Sequence, residues 1–218
     1  MKKNLILFVL FILPIVAYLF FASGVNSFAK LPTITKNIPD INSWNTLHNK
    51  PVALKGKITI LGFLGEDVLK HKGNLFNLYE KIYDRNKKFN DFQMVMIVPE
   101  GSQKEVELLQ RDIAKLGTQA GWNFVFGTPD QIRKFYNSMN LVGKLDAKCA
   151  TPNVFIVDKN RNLRGRKGHD KKGNDEYKEG YNTIFVSELY NEMTDDVKII
   201  LAEYRLALKK NHNASRQI

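Results

Sequence analysis

The sequence predicts an α/β fold, a central mixed sheet flanked by helices, behind an N-terminal transmembrane helix. Three observations predict it: short buried-strand runs alternate with segments of helical periodicity, the last strand run continues into a tight hairpin, and a long apolar stretch opens the chain.

The opening stretch is uncharged from Leu5 to Phe21 and follows Lys2-Lys3. A signal peptide's apolar region is usually about 7–15 residues, whereas a spanning helix needs about 17–25. Leu5 to Val25 meets the second requirement, and Pro14 is tolerated in lipid. Cleavage after Gly24 or Ala29 is the alternative reading; length favours a retained single-pass anchor. The paired lysines put the N-terminus in the cytoplasm and the rest on the outer, periplasmic side of the membrane. The expected divisions are an anchor over 1–25, an extended stalk over 26–43, one folded domain over 44–210 and a disordered tail over 211–218.

Pro32, Pro39 and scattered Asn and Thr mark the stalk, and Trp44 is expected to pack at the domain edge. Thr46 to Leu54 reads as a small hairpin turning at Asn49-Lys50. Ile58 to Phe63 is the first strongly apolar strand, its continuity fitting a central position covered on both faces. A loop or short turn around Lys70-His71-Lys72-Gly73 precedes a helix from about Asn74 to Arg85 that carries Leu75, Leu78 and Ile82. Phe92 to Val98 is the next strand, in which Met94 and Met96 are core fill.

Ser102 with Glu105 forms a capping box for a helix bearing Val106, Leu109, Ile113 and Leu116. Trp122 to Phe126 is the third strand. Thr128-Pro129-Asp130-Gln131 is a second capping box, with proline at the first helical position. Val154 to Val157, Asp158 to Asn162 and the residues after them read as a strand, a tight turn and a return strand. Pro152 is placed at the strand's first residue because proline cannot donate to a ladder, and a cis Thr151–Pro152 bond is an expectation at this position. His169 to Tyr181 reads as a mobile surface loop. Thr194-Asp195-Asp196 caps a last helix through Val197, Ile200, Leu201, Tyr204 and Leu208, with acid first and base last along its dipole.

The net charge of +11 fits an anionic membrane face or an acidic partner, or a basic solvated surface with no specific partner. An exported domain meets little nucleic acid, so none is expected as a partner. Cys149 is the only cysteine, which excludes an intramolecular disulfide and any CxxC or CxxxC dithiol. No phosphate loop, metal motif or nucleophile–base–acid arrangement of recognisable spacing occurs.

The order of elements carries a resemblance. Lys-Pro-Val-Ala-Leu-Lys-Gly-Lys precedes the first core strand, Trp-Asn-Phe-Val-Phe-Gly-Thr-Pro (122–129) precedes a helix, and Thr151-Pro152 leads to Phe-Ile-Val-Asp (155–158) and then Arg164-Gly165. Together, over roughly Trp44 to Lys209, these resemble the SCO/SenC branch of the thioredoxin-like superfamily. The resemblance implies a thioredoxin-like fold and copper delivery to, or thiol reduction at, the copper site of a respiratory oxidase. It also implies a CxxxC pair and a histidine as metal ligands.

The chain departs from that pattern at the chemistry. The closest matches to the two cysteines are Glu66 and Lys70, and Lys148-Cys149-Ala150 stands near the family histidine. Cu(I) takes soft thiolate or thioether ligands, so no cofactor is expected, copper being implied by the resemblance alone with its ligands absent. Glu66, Asp67, Lys70, His71, Thr151 and Pro152 are then the former active-site surface, free to bind a partner such as a respiratory or other envelope protein. Glu66, Asp67 and His71 are also weighed as hard ligands for a divalent ion, against the simpler reading of a solvated loop. Cys149 is a weak catalytic candidate, as a single-thiol oxidoreductase or peroxidase-like nucleophile with Lys144 and Lys148 favouring its thiolate; a small buried hydrophobe is the plainer reading. Tyr177, Tyr181 and Tyr190 are candidates for a peptide groove.

Overall fold

A computed structural model of the chain describes residues 8, 10–16, 18, 30–169 and 173–214, with side chains as far as residue 205. The expected transmembrane helix lies largely outside the described residues. Of it, residues 11–16 are helical, with Phe11 64% and Leu13 63% exposed. Among the described residues no helix is long and apolar enough to cross a membrane.

The sheet is built from β1 (Thr33–Thr35), β2 (Asn45–Thr46), β3 (Ile58–Leu64), β4 (Phe92–Pro99), β5 (Trp122–Gly127), β6 (Ala150–Val157) and β7 (Leu163–Arg164). Its order is β1-β7-β6-β3-β4-β5-β2. β3, β4 and β5 are parallel neighbours; β6 lies antiparallel to β3, and β2 antiparallel to β5. A further hairpin, β8 (Arg166–His169) with β9 (Asp175–Lys178), leads to β10 (Tyr181–Asn182), which pairs with β6 at Val154 and Asn153.

Both faces of the central strands are apolar, which is why β3 and β4 are buried at every position. Ile58, Ile60, Met94, Met96, Phe124 and Ile156 face one core. That core is closed by α1, α2 and α4. Helix α1 comprises Lys72–Leu78, a π turn Tyr79–Tyr83 and a last turn Asp84–Asn86; α2 is Gln103–Ala114; α4 comprises Val186–Glu188, a π turn Leu189–Met193 and Thr194–Ala214. Leu61, Phe63, Val95, Ile97, Val125 and Phe155 face the other core, which is closed by α3 (Pro129–Ser138) and by Ile38, Ile41, Val52 and Leu54 of the N-terminal segment. Period-two alternation along each strand thus divides the apolar residues between two cores.

Several local expectations are corrected. The stretch over 26–43 is not a stalk from Leu31 onward: Leu31, Ile38 and Ile41 are buried, and β1 pairs with β7. Asn49 does turn, at φ 54, but no second hairpin arm follows; β2 pairs with β5 instead. Of the loop or short turn expected before α1, a 3-10 turn over Val68–His71 is present, and α1 begins at Lys72 where about Asn74 was expected. Thr128 accepts from the Gln131 amide and completes its capping box, whereas Ser102 occupies the N-cap with no side-chain bond. The Ser102 ψ of 9° is away from the extended backbone that aims a capping hydroxyl at the first turn. Thr194 is no cap either: α4 already runs through it, and its hydroxyl donates to the Leu189 carbonyl.

β8 and β9 pair where a mobile loop was expected, because Arg166 bonds across to Glu176 and out to Asp196. Residues 170–172 lie outside the described ones. α4 extends to Ala214 across the start of the expected tail, whose remainder is not described. The Thr151–Pro152 peptide is trans. Pro152 is the third residue of β6, not the first. The register with β3 slips there, Gly62 pairing with Val154 and Phe63 with Thr151, so the missing N–H falls in a break of the ladder.

Candidate functional site

At the carboxyl end of β3 the chain turns through Gly65, whose φ is +65°. A Cβ there would lie 2.6 Å from the Lys148 carbonyl oxygen and 2.7 Å from the Ala150 Cβ, so only glycine lets the two segments meet. The Glu66 amide then donates to the Lys148 carbonyl at 3.2 Å. This contact brings the loop after β3 against the loop before β6, at the crevice outside the carboxyl ends of parallel strands where open α/β sheets place their sites.

Asp67 is the hub. Its Oδ2 accepts from Lys70 Nζ at 2.7 Å and from Lys148 Nζ at 2.8 Å. The bond from Lys148, and after it the one from Lys70, hold the Asp67 carboxyl down at about 2, and the same bond raises Lys148. Glu66 is exposed and makes no ion pair among the described residues. His71 is half-buried, and burial lowers its pKa against the opposing pull of Asp146 and Asp67. Thr151 and Pro152 sit beside this cluster in β6, Thr151 paired with Phe63. Glu66, Asp67, Lys70 and His71 thus lie on one side of the contact at Gly65, and Thr151 and Pro152 on the other. The divalent-ion reading of Glu66, Asp67 and His71 is not supported: among the described residues no three His, Cys, Asp or Glu groups converge to hold an ion.

The loop before β6 is built on Asp146. Its Oδ1 accepts from the Lys148 and Ala150 amides, and its carbonyl from the Cys149 amide. Arg133 of α3 donates to the Asp146 and Ala147 carbonyls. Cys149 is held at φ 65° with its thiol turned inward, 2% exposed, against Phe63 and α3, where its nearest acceptor is the Pro129 carbonyl at 3.9 Å. Burial raises its pKa, outweighing Arg133. Lys144 and Lys148 do not make a thiolate of it, as the sequence reading allowed; Lys148 is bound to Asp67 instead. A buried, protonated thiol is neither a nucleophile nor a soft ligand.

The donor set does not fit copper. With Glu66 and Lys70 where the resemblance puts thiolates, and a single thiol turned into the core, these positions offer Cu(I) no thiolate pair.

One feature escaped the sequence reading. Ile184 and Phe185 are 56% and 58% exposed, next to Thr183, whose amide and hydroxyl both donate to the Pro152 carbonyl. The Ile-Phe-Val run at 184–186 was the signal, hidden by the polar stretch before it. Tyr177, Tyr181 and Tyr190 line no common groove: Tyr181 is in the core, donating to Asp196, while the other two are exposed.

No protein-family model matches this sequence, and no curated protein does. Solved structures match in fold. BsSco, a member of the Sco family of cytochrome c oxidase assembly proteins, aligns with a TM-score of 0.55 at 14% identity, over 79% of this chain and 98% of its own. A candidate electron transfer protein from Aquifex aeolicus VF5 aligns with a TM-score of 0.53 at 14% identity, over 77% of this chain and 98% of its own. The chain has a thioredoxin-like α/β fold with a mixed central sheet, similar to that of Sco proteins.

Proposed function

We propose that this chain is a membrane-anchored, extracytoplasmic thioredoxin-fold binding or assembly factor that works without thiol or copper chemistry. The observation that carries this reading is the site itself. Where the fold family keeps reactive thiols, Asp67 is locked between Lys70 and Lys148, and the lone thiol of Cys149 points into the core. The resulting face is charged, with Glu66 exposed, and borders exposed Ile184 and Phe185. Exposed apolar side chains beside a polar rim suit a protein partner. Anchoring is supported by the length of the apolar stretch and by Lys2-Lys3, which set the domain on the outer side. By the fold likeness, a respiratory-oxidase subunit is the first partner to seek.

The test is a pull-down of the full chain from detergent-solubilised membranes, run beside Asp67→Lys and Phe185→Asp variants. Oxidase or other envelope subunits should come with the wild type and be lost in both variants; equal capture by all three overturns the docking face. Anchoring predicts the full-length chain in the membrane fraction, and a soluble product beginning near Val25 or Lys30 would contradict it. In parallel, insulin reduction and competition with a Cu(I) chelator should show neither turnover nor tight stoichiometric copper. Either activity moves the protein to the thiol oxidoreductase or copper-carrier class.

A further inference from the structure

Beside the candidate site, the C-terminal half of α3 and the loop after it line an open pocket of about 370 Å³. A water's share of liquid volume is about 30 Å³, so there is room for a small molecule. Arg133, Tyr136, Asn137, Asn140, Gly143 and Lys144 line it. Tyr136 is only 4% exposed, its ring packed edge-on against Phe63 and Phe155. Its hydroxyl has no hydrogen-bond partner among the described residues, yet it is not sealed from solvent, so it faces the pocket. Bonded to nothing else within the fold, the hydroxyl can donate to a ligand in the pocket.

Two cations line the pocket, and one carboxylate, Glu179, stands close enough to act on Tyr136. Arg133 uses two of its donors on the Asp146 and Ala147 carbonyls and keeps the rest. Lys144 is exposed and forms no ion pair among the described residues. Glu179 approaches the same loop, but its oxygens accept from the Val142 and Gly143 amides and the Tyr177 hydroxyl. Burial, and after it Glu179, push Tyr136 up to about 12, so it remains a donor at any physiological pH.

We propose that this pocket binds a small oxyanion, a phosphate or carboxylate group, with the Tyr136 hydroxyl donating to it and Arg133 and Lys144 supplying the charge. Such a ligand would take the Tyr136 donor and two cations that have no carboxylate partner among the described residues. Charge-assisted bonds of this kind are the strong ones. The site is independent of the docking face proposed above.

The experiment is a calorimetric titration of the full chain in detergent with inorganic phosphate and, separately, with succinate, at matched ionic strength. At least one should bind saturably, and which one does distinguishes a phosphorylated ligand from a carboxylic acid. Tyr136→Phe removes only the oxygen and should weaken binding about tenfold or more. Lys144→Ala should weaken it as well. Because the hydroxyl has no partner within the fold, the Tyr136→Phe chain should melt like the wild type without ligand; if it does not, Lys144→Ala and Asn140→Ala carry the test. No saturable binding of either anion, or undiminished affinity in the variants, overturns the proposal.

Discussion

Capping shows how much one side-chain oxygen decides. The Thr128 hydroxyl accepts from Gln131 and the Gln131 side chain returns a bond to the Thr128 amide, while Ser102 stands in the same relation to its helix with no such bond. Thr128→Ala should therefore cost about 1 kcal/mol of stability by chemical denaturation, and Ser102→Ala only a few tenths. The two motifs look alike in sequence because the S/T-x-x-E/Q pattern records residue types and not the backbone angle that aims the hydroxyl. Asp67 yields a second expectation. Its carboxyl sits at about 2, below its ordinary 3.8, so its ion pairs are intact above the ordinary value and are lost as pH falls through about 2. An NMR titration should place Asp67 at the low end of the carboxylates, and Lys70→Gln with Lys148→Gln together should return it towards 3.8. A normal Asp67 in the wild type would remove the hub from the site.

Among the elements, β3 to β6, α2 and α3 were legible because each carries an unambiguous period or a continuous apolar run. The helix before residue 194 was not, since Val186 to Met193 breaks the 3.6 repeat with a π turn and leaves Val186 and Tyr190 exposed. The β8–β9 hairpin was hidden for a different reason. Its residues are polar, and it is held by Arg166, bonded across the hairpin to Glu176 and out of it to Asp196, an ion pair that no local pattern announces. The patch Glu66, Asp67, Lys70, His71, Thr151 and Pro152 was legible as a place, through family order, while its wiring through Lys148 was not, because that depends on Gly65 allowing two loops to touch. Gly65→Ala should on this account be destabilising by about 1–3 kcal/mol, by strain at positive φ and by the clash with Lys148. An unchanged melting temperature would show that the two loops are not in contact.

For the whole molecule, the boundary is the clearest divergence from the sequence reading. A chain shortened to begin at Trp44 would lack β1, Leu31, Ile38 and Ile41, and should fail to give a cooperative unfolding transition, whereas one beginning at Lys30 should unfold as one unit. Prolines and polar residues made 26–43 look like a linker. What fixes it in place is remote: the Arg164 guanidinium donates to the Leu31 carbonyl while paired with Asp158 and Glu203, and Thr35 donates to the Met139 carbonyl. Burial lowers the Arg164 pKa, but these two carboxylates outweigh it, so the cation persists inside. Cohesive melting of the shorter chain would reinstate the stalk.

The two edges of the sheet, β1 and β2, are both supplied by the segment between Thr33 and Thr46, which reaches from one rim to the other across the face that α3 covers. This geometry sets an order of assembly. The segment leaves the ribosome before any strand it pairs with, and its anchor point at Arg164 is made only after β3 to β6, so it must wait, unpaired, until most of the chain has emerged. Tethering by the preceding apolar stretch would hold that waiting segment beside the membrane, away from neighbouring chains whose bare sheet edges it could otherwise complete.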